Sequence, residues 1–190
     1  LSADEYPLVL RRFASDEGLV ASGVSVYSSL PISGRLGTYE LTVQATSSDN
    51  AVLFAGGRRP SVNAQLAGFW QFSRSTYAQV TASALYGANP DTSLTTTLGV
   101  AAARFTWRPP NEALRREVTV RGEVFQLQRV VDGIGPARLG WYVDAQTKLG
   151  ARWTTAVRYD RVASPDPAVT GSAWAVTPSL TYWQSEFVFL

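Results

Sequence analysis

The sequence predicts an all-β chain: an antiparallel up-and-down transmembrane β-barrel, or part of one, with about ten strands. Three observations lead to this prediction. Long stretches alternate between apolar and polar side chains, tight connections alternate with longer ones, and aromatic residues gather near the strand ends. Alternation with a period of two is typical of a strand that has one apolar and one polar face.

The clearest alternation runs through the hairpin Leu139–Arg161. Every second residue from Leu139 to Leu149 is Leu, Trp, Val, Ala or Thr, and the residues between them are small or polar. After a Gly150-Ala151-Arg152 turn, the second arm alternates in the same way. A connection this tight permits only antiparallel neighbours.

The other strands follow from the same pattern and from the turn residues that bound them. They are Val20–Leu30, Tyr39–Ala45, Val62–Ser73, Tyr77–Tyr86, Leu94–Trp107, Glu117–Gln128 and Ser172–Tyr182, with a tenth starting at Glu186. The connections are expected at Pro31–Gly37, Ser47–Ser61, Arg74–Thr76, Gly87–Ser93, Arg108–Arg116, Val130–Arg138 and Ser164–Gly171. Pro178 is expected to interrupt the hydrogen-bond ladder of its strand, because proline has no N–H.

No stretch has a strong helical pattern. Residues 1–18 are expected to form an irregular N-terminal segment of the single domain 1–190, with a turn at Asp16–Gly18, and Asn111–Arg116 is expected to form at most one helical turn. The N-terminal segment is either a solvated loop with local ion pairs or a segment folded into a pore. The glycine-rich piece at 56–60 is not a phosphate loop, since it lacks the Gly-Lys-Ser/Thr ending.

Composition argues against several functions. The sequence contains 0 His and 0 Cys, so a Ser–His triad, a thiol nucleophile and the common zinc sites are absent. We therefore expect neither an enzyme nor a metal or other cofactor. The net charge of +2 comes without a basic block, so no nucleic-acid partner is expected.

The apolar strand faces are expected to contact lipid. The strands run about ten residues, which a tilted strand needs to cross a bilayer. Connections near residues 75, 151 and 184 are tight and those near 54, 134 and 167 are longer, as in outer-membrane barrels. Two aromatic bands match the headgroup levels. The predicted girdle consists of Trp70, Phe72, Tyr86, Trp107, Trp141, Trp153, Tyr159, Trp174 and Tyr182.

The polar faces are then predicted to line a pore. The candidate lining residues are Glu40, Gln65, Gln79, Glu117, Arg121, Glu123, Tyr142, Asp144, Lys148, Arg158 and Asp160. Charges alternate along this face, which pairs Arg121 with Glu117 and Glu123, Lys148 with Asp144, and Arg158 with Asp160. Such a lining is either a solvated wall of ion pairs or a mixed-charge field that acts on permeating solutes. Arg11 and Arg12 are candidates for a constriction if the N-terminal segment folds inward.

Two segments resemble one family. Tyr6–Gly18, with the core PLVLRRFASDEG, and Leu180–Val188, LTYWQSEFV, resemble porin-like outer-membrane β-barrel proteins of the phosphate-selective-porin-like and TonB-dependent-receptor-like kinds, in their C-terminal part. The resemblance implies a location in the bacterial outer membrane. It also implies further strands that end in an aromatic residue, so this chain is expected to be a fragment or an incomplete barrel.

Three functions remain as hypotheses. The first is a porin-like channel for diffusion of small polar or charged solutes, with the lipid bilayer and further copies or other envelope proteins as partners. The second is a non-conducting outer-membrane receptor or assembly scaffold that binds partners through loops Ser47–Ser61 and Val130–Arg138, although no segment is typical of the plug domain of an active receptor. The third is a soluble β-sandwich binding module.

Overall fold

The computed structural model describes residues 6–15, 21–34, 37–56, 59–131, 135–165 and 171–183. Most of these residues belong to nine strands. The strands are β1 (Gly23–Gly34), β2 (Gly37–Thr46), β3 (Ser61–Gln71), β4 (Thr76–Asn89), β5 (Leu94–Trp107), β6 (Val118–Val131), β7 (Ala137–Leu149), β8 (Trp153–Ala163) and β9 (Ser172–Tyr182). Two short helices, α1 (Leu8–Phe13) and α2 (Ala51–Phe54), and two 3₁₀ turns, Pro90–Thr92 and Pro110–Glu112, complete the described elements.

All nine strands belong to one antiparallel sheet in which spatial order follows chain order, β1 to β9. This confirms the predicted up-and-down connection of neighbouring strands. The register of the Leu139–Arg161 hairpin pairs Leu149 with Trp153 across the Gly150 turn, and Gly150 has a φ of 81°, which favours glycine.

The sheet has two chemically distinct faces. We call the face that carries Val24, Leu66, Val80, Val143 and Val157 the apolar face; its large side chains are exposed on all nine strands. The opposite face, which we call the polar face, carries the charged strand residues except Arg161, which is paired with Trp141 and Trp174 on the apolar face. Helices α1 and α2 also lie on the polar face. The alternation of the sequence therefore maps onto the sheet as predicted.

The two ends of the strands, which we call the loop end and the turn end, differ in their connections. The loop end carries Pro90–Thr92 and the connections after β2, β6 and β8, and the turn end carries Gly150 and the connections after β3, β5 and β7. The buried hydrophobic cluster lies at the loop end, between the helices and the polar face. No helix within the described ranges is long and apolar enough to cross a membrane.

The strand bounds agree with prediction at β5 and β9 and differ elsewhere. The predicted turn at Pro31–Gly37 is too long, because Pro31–Gly34 belongs to β1 and Gly37 to β2; residues 35–36 between them lie outside the described residues. The register with β2 shifts between Leu30 and Gly34. Gly87–Asn89 of the predicted loop Gly87–Ser93 continues β4, and Val130 and Val131 of the predicted loop Val130–Arg138 continue β6.

Pro178 does not interrupt its strand. It lies within β9 and is paired with Val157 of β8. Proline is tolerated on a strand at the edge of a sheet, because its missing N–H then leaves no ladder partner unsatisfied, and β9 is the last strand of the described sheet. The predicted tenth strand and the predicted turn at Asp16–Gly18 lie outside the described residues.

The sequence did not predict the two helices. Residues 8–13 were expected to be irregular, and 51–54 were expected to be part of a loop. With six and four residues, these helices are too short to show a periodic pattern or to be stable alone. Contacts with the sheet therefore decide their formation. The 3₁₀ turn at Pro110–Glu112 agrees with the single helical turn expected there.

Candidate functional site

The polar face is divided into two halves. Its loop-end half is covered by α1, which contacts β7 and β8, and by α2, which contacts β4 and β5. We call these two helices the plug. The turn-end half of the polar face carries ion pairs between strands. Each half has a different chemistry, and the boundary runs close to Tyr142.

Helix α1 is attached to β8 by a carboxylate. Asp160 is fully buried, and its Oδ1 accepts a hydrogen bond of 3.0 Å from the backbone N–H of Leu8. Its Oδ2 accepts from Arg158 Nε at 2.9 Å. Pro7 provides no side-chain cap for this helix, so Asp160 satisfies one of the N–H groups that a helix leaves free at its start.

Helix α2 is attached at both ends by polar side chains. Asn50 caps its start, with Oδ1 accepting from Leu53 N at 2.9 Å. At its end, Asn89 Nδ2 donates to the carbonyls of Phe54 and Ala55 at 2.9 and 3.2 Å, and the Thr96 hydroxyl donates to the carbonyl of Leu53. Buried carbonyls of a helix end require such donors.

A glycine lies beneath each helix. A Cβ atom on Gly140 of β7 would lie 2.3 Å from Cγ2 of Val9, and one on Gly87 of β4 would lie 2.4 Å from Cε1 of Phe54. Both distances are far below van der Waals contact. The absence of a side chain at these two strand positions therefore allows the plug to rest directly on the backbone of the sheet.

The plug completes an apolar cluster. Its own buried side chains are Val9, Phe13, Leu53 and Phe54, and the strands contribute Leu85, Leu98, Phe125, Leu127, Tyr142 and Val162. These strand residues lie on the face that alternation predicts to be polar. The sequence does contain a signal for the plug: large apolar residues at polar-face positions are concentrated near the loop ends of β4 to β8, although Phe69 near the turn end of β3 also lies on this face.

The turn-end half carries ion pairs that cross between neighbouring strands. Arg121 Nη2 of β6 lies 2.6 Å from Asp144 Oδ2 of β7, and these residues are paired in register. Lys148 Nζ and Arg108 Nε lie 3.3 and 3.6 Å from Glu117 Oε2. Alternation along the strand predicted different pairs, Arg121 with Glu117 and Lys148 with Asp144. Those pairings are wrong, because side chains directly opposite on adjacent strands are closer than those four residues apart along one strand.

Tyr142 links the two halves. Its ring stacks on Phe125 of the apolar cluster, with centroids 6.3 Å apart. The guanidinium of Arg121 lies 5.3 Å from the centroid of the same ring, a cation–π distance. Displacement of the plug would therefore shift the ring of Tyr142 and, through it, the ion pair of Arg121 in the turn-end half.

The predicted lining residues lie on the polar face but differ in accessibility. All are on strands, except Glu117, which directly precedes β6. Glu40, Gln65 and Gln79 are exposed, whereas Tyr142, Arg158 and Asp160 are buried, so these three contact protein rather than solvent. Arg11 and Arg12 are exposed on α1. The predicted ion pair of Arg158 with Asp160 is present, and it holds the plug.

The predicted girdle residues form two groups on the apolar face of the strands, except that Phe72 directly follows β3. Those toward the turn end are Trp70, Phe72, Trp107, Trp153 and Tyr182, and those toward the loop end are Tyr86, Trp141, Tyr159 and Trp174. Trp153 contacts Tyr182 with centroids 4.8 Å apart, and Tyr159 lies between Trp141 and Trp174 at 5.3 and 6.5 Å.

The described residues contain no group of three or more His, Cys, Asp or Glu side chains placed to hold a metal ion. Comparison of this chain with models of protein families, with characterised proteins and with solved structures finds no match.

Proposed function

We propose that this chain forms a membrane-embedded β-barrel, or the larger part of one, whose apolar face contacts the lipid of an outer membrane. The main observation in favour of this proposal is that the apolar face is exposed on all nine strands. With strands about 4.8 Å apart and a rise of about 3.3 Å per residue, this face measures roughly 40 by 30 Å. Soluble monomers rarely expose apolar patches beyond about 300–600 Å².

The positions of the aromatic residues support strands that are tilted in a lipid slab. Cross-strand partners can be followed from one strand to the next. Starting from Trp70 of β3, they lead to Val157 of β8. The aromatic residue at the turn end of β8 is Trp153, which lies four residues closer to the turn end than Val157. The line from Tyr86 reaches β7 at Ala137, and the loop-end aromatic of β7 is Trp141, again four residues toward the turn end. Both bands drift in the same direction, by four residues over five strand pairings in the first case and over three in the second.

A parallel drift is what strand tilt produces, because bands of constant depth must cross the pairing lines of inclined strands. On β8 the turn-end aromatic Trp153 and the partner of Trp141, Arg161, are eight residues apart. At a rise of about 3.3 Å and a tilt of about 40°, eight residues span about 20 Å along the membrane normal. This is close to the apolar band of about 25 Å in outer-membrane barrels.

Closure is part of the same proposal. Backbone N–H and C=O groups at the edges of β1 and β9 cannot remain unpaired in hydrocarbon, since each would cost several kcal/mol. These edges are therefore paired in the membrane, with one another, with the residues after β9 or with further strands. The resemblance of the two chain ends to porin-like proteins agrees with this assignment.

The barrel is proposed to conduct small polar solutes through a restricted path. The charged turn-end half, with Arg121, Asp144 and Lys148, forms a wet lining, and rings of charge set permeability by their field. The plug narrows the path at the loop end. The flux of small solutes through the barrel is therefore expected to be small and to increase when the contacts between the plug and the sheet are weakened.

A closed barrel that serves as a receptor or scaffold is the second candidate. The observation that favours it is the plug itself, whose polar anchors are satisfied and whose apolar side chains are buried. A soluble β-sandwich is less well supported than either membrane candidate. A sandwich consists of two packed sheets, whereas the described strands form one sheet.

The test is insertion followed by conductance. The full chain is refolded into phosphatidylcholine vesicles and then measured in planar bilayers, with the variant Gly87→Ala/Gly140→Ala as the loosened form. Discrete low conductance that increases in this variant supports the restricted channel. Insertion without conductance in both proteins leaves the closed scaffold. A chain that stays monomeric in water and does not partition into vesicles would remove the membrane proposal altogether.

A further inference from the structure

A small cavity lies on the polar face at the loop end, beyond the plug. Its volume is about 220 Å³. Leu94, Leu127 and Val131 provide an apolar wall on β5 and β6, and Arg129 and Arg138 project into the same space from β6 and β7. None of the described lining residues is acidic.

Arg129 has a buried hydrogen-bond donor for which the described residues provide no acceptor. Its Nε is buried and has no hydrogen-bond partner among the described residues. A buried donor of a charged group that lacks an acceptor is costly, because the energy of its lost hydration is not recovered. Arg138 brings a second guanidinium to the same cavity. The donor in this space that lacks an acceptor is Nε of Arg129, and an anionic group is the acceptor that a guanidinium binds most strongly.

The wall of the cavity is closely fitted. Gly135 lies so near β6 that a Cβ atom there would meet the carbonyl oxygen of Arg129 at 1.9 Å. The carbonyl of Gly135 in turn accepts a hydrogen bond from Gln128 Nε2 at 3.4 Å. Pro136 and Pro165 close the sides, and proline restricts the backbone there. The two arginines therefore line a partly enclosed space with a tightly packed backbone wall.

From this arrangement we infer that the cavity binds a small organic carboxylate with an apolar body, such as an aromatic or short branched acid. A guanidinium accepts a carboxylate in bidentate geometry, and the apolar wall of Leu94, Leu127 and Val131 receives the hydrocarbon part. Inorganic phosphate would leave that wall in contact with a fully hydrated ion. The cavity holds about seven water volumes, which suits a ligand of benzoate size.

This site does not depend on conduction, and its test is direct binding. The full chain in detergent micelles is titrated with ¹⁴C-benzoate by equilibrium dialysis, with benzamide and inorganic phosphate as competitors. We expect saturable binding of benzoate that excess benzamide or phosphate displaces weakly. Arg129→Gln should weaken binding by about 10- to 100-fold, the usual value of one charged hydrogen bond.

Two further variants separate the site from general charge and from misfolding. Arg104→Gln removes an exposed arginine of the polar face that does not line the cavity, and it should bind benzoate as the unmodified protein does. Arg129→Lys keeps the charge and should retain more affinity than Arg129→Gln. Absence of saturable binding, equal displacement by benzamide, or equal losses in Arg104→Gln and Arg129→Gln would each overturn the inference. Heat-modifiable migration on gels reports folding of every variant.

Discussion

Asp160 and Leu8 are 152 residues apart in the chain, yet the carboxylate of Asp160 accepts a 3.0 Å hydrogen bond from the backbone N–H of Leu8. This contact connects the first described helix to the eighth strand. Because Asp160 is fully buried and also pairs with Arg158, one side chain fixes the plug and neutralises a buried charge. Its replacement should therefore affect both stability and the position of α1.

Asp160→Ala should lower the free energy of unfolding by about 3 kcal/mol, since it removes the carboxylate from a buried guanidinium and from a helix start. Urea unfolding in vesicles, followed by tryptophan fluorescence, measures the change. Asp91→Ala, at an exposed position, is the control and should change stability by less than about 0.5 kcal/mol. Equal effects of the two variants would show that the anchor contributes little.

Gly140→Ala should displace α1, because the added methyl group would occupy the position of the Val9 side chain. We expect a loss of about 1–3 kcal/mol, as for other overpacked sites, and faster proteolysis within residues 6–15. Gly99→Ala is a matched control, since nothing lies within 4 Å of its added Cβ. Combination of Gly140→Ala with Val9→Ala should restore protection; protection that is unchanged in Gly140→Ala alone would contradict the proposed contact.

Val157→Lys should cost about 2–4 kcal/mol in the folding of the protein into a bilayer, because it introduces a charge on the apolar face midway between the two aromatic bands. Val143→Lys lies on the same face but is paired directly with Tyr159 of the loop-end band, so it should cost less than Val157→Lys. Gln146→Lys lies between them in the hairpin but on the polar face, and it should cost little. Folding equilibria in vesicles measure all three. If water rather than lipid covers the apolar face, the valine variants would be tolerated as well as Gln146→Lys.

Trp153 and Trp174 should lie at the two headgroup levels. Variants that retain one of these tryptophans, with the other five replaced by phenylalanine, should be quenched most strongly by lipids brominated near the headgroup. A third variant that carries its only tryptophan at Val157, midway between Trp153 and Arg161 on β8, should respond best to bromine near the chain ends. A uniform response of the three variants would contradict a membrane slab bounded by the two aromatic bands.

Alternation in the sequence determined most of the sheet. In β7 and β8 the period of two assigned every residue to a face, and Gly150 marked the turn, because a strand with two environments must alternate its side chains. The bounds of β5 and β9 followed from Leu94, Trp107, Ser172 and Tyr182 in the same way. The local chain was sufficient here, since neighbouring antiparallel strands need no distant information to pair.

The plug and the ion pairs depended on tertiary structure. Helix α1 forms through contacts with Asp160 and Gly140, and helix α2 through contacts with Asn89 and Gly87. All four residues lie at least 30 positions away in the chain. Arg121 likewise pairs with Asp144 because register places the two side by side on adjacent strands. A six-residue helix is not stable through local interactions alone and is too short to show a periodic sequence pattern. The assembled sheet therefore determines where such a helix forms and which residues it covers.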